Sequence, residues 1–403
     1  MTNALLEPPL PMDGVIRVSS ADPARSDAYL PTPCVQNHAA NLMPLANGDL
    51  ACVWFGGTQE GMADISVYFA RLPAGSDCWR EPVKLSDDPS RSEQNPILFP
   101  APDGNLWLIW TAQVSGNQDT AFVRRRISRD DGATWGPIET LFPQEPGRGL
   151  FIRQPIAVLP GGDWLLPVFY CPTTPGKKWV GDADTSAVKI SSDQGATWRD
   201  VEVPESVGCV HMCVNALGDG SLLALYRSRW ADHVYESRST DGGRSWSAPV
   251  ATALPNNNSS IQATRLANGH LALVFNDTSA AAATERRVSL YDEIEDEGDA
   301  QGGAAATEPP PPAGRAAFWG APRAPMTVAI SKDAGRTWVK RDIETGDGYC
   351  MTNNSRDRSN RELSYPSIRQ TADGAIHVAY THFRQAIRYV RFDEDWVLRG
   401  ARS

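Results

Sequence analysis

The stretch Ser128-Arg-Asp130-Asp-Gly132-Ala-Thr134-Trp135 decides the fold, because the chain repeats it at Ser191–Trp198, Ser239–Trp246 and Ser331–Trp338. In each copy an Asp and a Gly make a tight turn that the Ser and Thr side chains brace, and the Trp closes over an apolar layer. One such octet is an ordinary turn; four identify a repeat architecture. Each octet ends a longer unit of strand, Gly/Asn/Asp turn, strongly apolar second strand and third strand, with a fourth strand after the Trp. The opening turns lie at Ala46–Asp49, Ala101–Gly104, Pro160–Asp163, Gly218–Ser221, Ala267–His270 and Thr371–Gly374, one for each of six units. Second strands such as Leu50–Gly57 and Leu106–Gln113 read as strands buried inside a blade. The first and sixth units keep only remnants of the octet, Ser76–Trp79 and Phe392–Trp396.

Four strands in each of six units, with no helical periodicity, predict an all-β chain folded as one six-bladed β-propeller of four-stranded antiparallel blades over residues 1–403. The fourth octet lies almost twice as far from the third as the third does from the second. No opening turn falls in that gap, so the excess reads as a loop of about residues 278–317 inserted between strands two and three of blade five. Its Glu/Asp run (Glu293 to Asp299) and its Ala/Gly/Pro-rich tract up to Ala317 cannot build a packed blade, and a mobile tip is expected there.

The chain has 403 residues, 41% hydrophobic and 21% charged, enough for a substantial core. A formal net charge of −10 excludes the basic stripe of a nucleic-acid binder but leaves room for local arginines facing an acidic ligand. No membrane span and no secretory leader is read. The seven cysteines (34, 52, 78, 171, 209, 213 and 350) form no metal-type pattern, so reduced thiols, a cytoplasmic location and neither metal nor cofactor are expected.

In a propeller the heads of the innermost strands ring the channel mouth. Reading back from the opening turns gives His38, Glu93 and Asn95, Arg153 and Gln154, His211, Asn258 with Ser259, and Tyr365. The ends of the second strands and the loops after them add Glu60, Asp64, Gln113, Tyr170, Arg227, Arg229, Asp277 and Arg384, and Arg323 opens strand three of blade five. Any one of these could be a satisfied polar group at a narrow channel. Two histidines, a tyrosine, several arginines and carboxylates converging on one mouth predict a polar substrate site. Tyr349 and Asn353, ahead of blade six, are candidate sugar contacts.

The repeated octets are similar to the Asp boxes of the BNR-repeat, sialidase-like superfamily, and the resemblance covers essentially the whole chain. It implies an arginine triad gripping a carboxylate, matched by Arg229 (or Arg227) and Arg323. It also implies a tyrosine nucleophile, matched by Tyr365, and an acid/base in a first-blade loop, matched loosely by Glu60 or Asp64. Two positions depart from that pattern. The first-blade arginine motif reads Gln36-Asn37-His38-Ala39, and His211 stands where the glutamate that activates the tyrosine is expected.

That altered set suits an enzyme cleaving a linkage at a terminal acidic sugar by β-elimination next to a uronic acid. Arg153, Arg229 and Arg323 would neutralise the carboxylate, His38 or His211 would take the proton, and Tyr365 would protonate the leaving oxygen. The alternative is a sialidase-like retaining exo-glycosidase with Tyr365 as nucleophile and Glu60 or Asp64 as acid/base. A non-catalytic glycan-binding propeller is the third reading. Either enzyme would be exo-acting if the blade-five insertion, whose Ser289–Ile294 stretch could touch substrate, closes the mouth. An acidic oligosaccharide is the expected partner; the sequence does not specify the oligomeric state.

Overall fold

The computed structural model describes residues 10–287, 289–291, 293–294 and 315–400. Six antiparallel sheets follow one another along the chain. Blade one shows the common pattern, running from the inner strand Gln36–Pro44 through Leu50–Gly57 and Ser66–Leu72 to the short outer strand Val83–Lys84. Six apolar cores lie between neighbouring sheets. Leu42 and Trp54 of blade one meet Tyr389 of blade six, Val53 meets Leu108 of blade two, and Val274 of blade five meets Val378 of blade six. Equivalent cores join blades two to three, three to four and four to five. Six sheets sharing six cores make a closed ring, the predicted propeller.

The four octets fold alike. Ser128 Oγ donates to Asp130 (2.7 Å) and accepts from the Gly132 N–H (2.7 Å), while Asp130 accepts from the Thr134 N–H (2.8 Å) and hydroxyl (2.6 Å). The same contacts recur around Asp193, Asp241 and Asp333. Gly132, Gly195, Gly243 and Gly335 all take positive φ, between 81° and 88°, where a Cβ would be strained.

Two expectations need correction. The remnant Phe392–Trp396 is no octet; Glu394–Arg399 is an α-helix, capped by the Asp393 carboxylate on the Trp396 N–H (2.7 Å). The outer strand of blade six therefore comes from the other end of the chain, where Ser26–Tyr29 pairs with Ala386–Phe392. The inner strand of blade three is also broken, since Arg148–Ile152 and Ala157–Val158 both pair with Trp164–Pro172 and Pro155 lies between them.

The blade-five insertion leaves the sheet after Leu271–Asn276 and re-enters at Met326–Ser331, as expected. The acidic run beyond Ile294 and most of the Ala/Gly/Pro tract, with the mobile tip expected there, lie outside the described residues.

Hydrogen bonds from the Thr or Ser at the seventh octet position hold the carboxyls of Asp130, Asp193, Asp241 and Asp333 down at about 2, from 3.8. A depressed folded-state pKa contributes stability above the unfolded value, and that contribution disappears as pH falls through the folded one. Thermal melts are therefore expected to weaken progressively between about pH 4 and about pH 2. At neutral pH, Ser191→Ala should cost about 1–2 kcal/mol in denaturant unfolding, because it strips the Gly195 N–H and Asp193 of their buried partner.

Candidate active site

A bulge sits near the channel-mouth end of several inner strands. The register slips between His38 and Asn41, Gln94 and Ile97, Val210 and Cys213, and Ser364 and Ser367. At each slip one residue adopts positive φ: Ala39 (62°), Asn95 (51°), His211 (54°) and Tyr365 (50°). Asn258 (55°) does the same ahead of the inner strand of blade five. A bulge releases a side chain from the sheet's alternation and re-aims it, here into the channel.

Tyr365 lies at the centre, 5% exposed. Its ring centroid is 4.2 Å from that of His38 and 5.6 Å from that of His211. Its hydroxyl oxygen accepts from Arg227 Nη1 at 2.5 Å. The guanidinium carbons of Arg153, Arg227 and Arg323 lie 5.4, 5.5 and 5.8 Å from its ring centre.

These arginines differ in what already occupies them. Arg229 is committed to Asp184, with Nε and Nη2 2.9 and 2.6 Å from one carboxylate oxygen, and it lies close to the Trp179 and Trp319 rings. Arg384 bridges Glu60 (2.5 Å) and Glu362 (3.1 Å), and Arg323 pairs with Glu362 at 3.1 Å. Arg153 gives its donors to the carbonyls of Ala39, Ala40, Tyr365 and Pro366 and to Ser260, so it ties blades together in the channel. Arg227 has no carboxylate partner among the described residues. Its Nε donates to Asn258 (2.8 Å), its Nη1 to Tyr365, and its Nη2 has no partner.

These five buried guanidiniums share the buried carboxylates Glu60, Asp184 and Glu362, in a chain whose overall charge is −10. Burial pulls Arg227 down to about 9, with Arg229 and Arg323 pushing the same way. Burial, reinforced by Arg384 at one ring and Arg227 at the other, holds His38 and His211 well below the usual histidine value. Both rings are therefore neutral at neutral pH, below the near-neutral pKa expected of a base. His38 Nε2 and His211 Nδ1 are buried without partners.

Several candidates lie elsewhere or are otherwise engaged. Asp64 spends both oxygens on Thr58 (2.9 Å each), bracing its own loop. Tyr170 faces away from the channel, bonded to Asp200, because its neighbour Phe169 takes the inward position against His211. By the same alternation Asp277 pairs with Lys340 on the outside of blade five, while Asn276 points inward. Glu93 holds Trp110 and Arg124, and Gln154 bonds the Ile261 carbonyl. Tyr349 sits at the rim, 36% exposed, with Arg361 over its ring. Asn95 Oδ1 is buried and unpartnered.

The blade-five insertion lies across the mouth. Tyr291 is buried, and its hydroxyl accepts from Gln118 (3.0 Å) and Gln113 (3.3 Å) of blade two. Tyr291 and Ile294 press on Gly61 of the first-blade loop, where a Cβ would stand 2.6 Å from Ile294 Cδ1. Trp319 Nε1 reaches the Val180 carbonyl of blade three (3.0 Å). Asn353, read as a sugar contact, instead accepts from Arg287 (3.1 Å) and donates to Leu290 O (2.7 Å), fastening the insertion to blade six.

Residues 48–378 match the family model of the BNR repeat-like domain. The chain belongs to that family. No curated protein matches it in sequence. Among solved structures, this BNR repeat-like protein is similar to the Hadza microbial sialidase Hz136, with a TM-score of 0.66 at 14% identity, covering 90% of this chain and 67% of that one. It is also similar to a protein of unknown function from Dyadobacter fermentans (0.64, 15%, 92% and 99%). A third is the intramolecular trans-sialidase from Ruminococcus gnavus (0.61, 12%, 90% and 95%). At these identities the likeness is one of fold, the sialidase-like propeller. Among the described residues no helix is long and apolar enough to cross a membrane, and no group of three or more His, Cys, Asp or Glu is placed to hold a metal ion.

A buried cation lacking a counter-ion burdens the fold, whereas one half of a buried ion pair supports it. Arg229→Met should therefore cost about 3–5 kcal/mol by stranding Asp184. Arg227→Met should leave the melting temperature unchanged or raise it, as replacement of a functional residue commonly does. Equal losses from the two would remove the distinction between them.

Proposed function

We propose that this propeller cleaves a glycosidic linkage beside a uronic acid by β-elimination. The observation that carries the reading is Arg227, a buried guanidinium without a carboxylate partner among the described residues, bonded to the oxygen of Tyr365, whose ring contacts the two neutral histidines. A substrate carboxylate supplies the anion that Arg227 lacks, and its neutralisation makes the adjacent C5 proton acidic. A neutral histidine takes that proton. The C4–O bond then breaks, the Tyr365 hydroxyl protonates the departing oxygen, and a C4–C5 double bond conjugated to the carboxylate remains.

Attack by Tyr365 on an anomeric carbon is less well supported. Among the described residues no carboxylate bonds the Tyr365 oxygen to take its proton, and Glu60 is half of an ion pair with Arg384. The insertion across the mouth favours an exo action, because Tyr291, Ile294 and Trp319 pack over the channel beside Phe169 and Trp179.

The test follows ultraviolet absorbance of the conjugated double bond and product mass on uronate-containing and sialylated oligosaccharides. Rising absorbance, reduced about 10²–10⁴-fold in Tyr365→Phe, is the expected outcome. Products heavier by one water with flat absorbance would establish hydrolysis instead, and binding without turnover would establish a glycan-binding propeller. On a long polymer, release only from one end is expected, and a ladder of intermediate lengths would overturn the exo reading.

A further inference from the structure

The two histidines have different electrostatic surroundings, and the difference bears on which one is the base. A base that accepts a proton ends as an imidazolium, which needs an anion or an acceptor to stabilise it. His211 has neither. Its ring lies against Phe169 and Tyr365, and the charged groups acting on it are Arg227, Arg229, Arg153 and Arg323, all cationic.

His38 Nδ1 lies 2.9 Å from Thr381 Oγ1 and 3.8 Å from Glu362 Oε1. The cations acting on this ring are Arg384, Arg323 and Arg153, and Glu362 is the anion that opposes them. Glu362 is itself fixed by Arg323 (3.1 Å), Arg384 (3.1 Å), Ser364 (2.5 Å) and Asn360 (3.2 Å). A carboxylate on the Nδ1 side draws the ring proton to Nδ1 and leaves the lone pair on Nε2, the atom without a partner.

We infer that Glu362 is a positioning residue that fixes His38 as the Nδ1-protonated tautomer, so that His38 Nε2 is the base and His211 is not. This rests on the elimination reading. In the step itself the C5 proton moves to His38 Nε2, the C–H electron pair becomes the C4–C5 double bond, and the C4–O pair leaves with the sugar oxygen, which takes the Tyr365 proton. Glu362 touches no substrate. It faces the opposite edge of the ring and balances the charge that the ring acquires.

The closing experiment has one part that needs no substrate. Long-range proton–nitrogen correlation on protein labelled at its six histidines, with His38→Gln used for assignment, reads the tautomer in the resting state. Nδ1 protonation in the wild type, lost in Glu362→Gln and restored in Glu362→Asp, is the expected result. Should Glu362→Gln fail to fold, the wild-type spectrum still decides. An Nε2-protonated His38 overturns the assignment even if elimination occurs. The second part is turnover. His38→Gln should lose about 10²–10⁴-fold in kcat and His211→Gln far less, and the reverse order overturns the choice of base. Glu362→Gln should lower kcat with little change in KM and displace the pH profile. Failure of every uronate to eliminate, with Nδ1 still protonated, would count against the elimination reading and not against the tautomer.

Discussion

Moving guanidinium groups out of water is costly, and the mouth of this channel buries five of them. Glu362 meets much of that cost by accepting from Arg323 of blade five and by pairing with Arg384 of blade six, while Arg384 also carries Glu60 of the first-blade loop. The alternating chain Glu60–Arg384–Glu362–Arg323 therefore bridges three parts of the ring and fixes the heads of their strands. His38 and Tyr365 stand on that support. Arg229 is neutralised separately by Asp184, whereas Arg227 has no carboxylate partner among the described residues and donates to Asn258 and Tyr365.

The overlying insertion changes the physics of the same groups. Tyr291, Ile294, Leu290 and Trp319 form an apolar layer with Phe151, Phe169 and Trp179, so the histidines and arginines beneath are shielded from water. Shielding keeps the histidines neutral and strengthens every charge interaction in the chamber. The Tyr291 hydroxyl, held by Gln113 and Gln118, ties this layer to blade two.

The ring was legible in the sequence because its repeat is local: an octet brings its own hydrogen bonds, and six opening turns count the blades. The polar ring at the mouth was legible for the same reason, being at a steady offset from those turns. Other features depend on contacts across blades and left fainter signals. Asp184 and Glu362 pair with arginines far away in sequence. The alternation Asn360, Glu362, Ser364 at the head of a strand that should be apolar was a usable clue. Tyr170 and Asp277 were misplaced by one position in a period of two, which sends a side chain to the opposite face. The helix Glu394–Arg399 carried its own start signal, an Asp cap followed by two acidic residues, but was read as a worn octet.

Closure of blade six by Ser26–Tyr29 has a consequence for how the protein comes into being. His38 belongs to the first blade and Tyr365 to the last, so the two rings that touch at the centre are joined by nearly the whole length of the chain. No partial array of blades, however well folded, contains the pair. Such long-range closure is the slow kind of step in folding. A chain arrested before its last blade would hold most of the core and yet leave His38 without Tyr365, so during synthesis the centre of the channel is assembled only when the circle shuts.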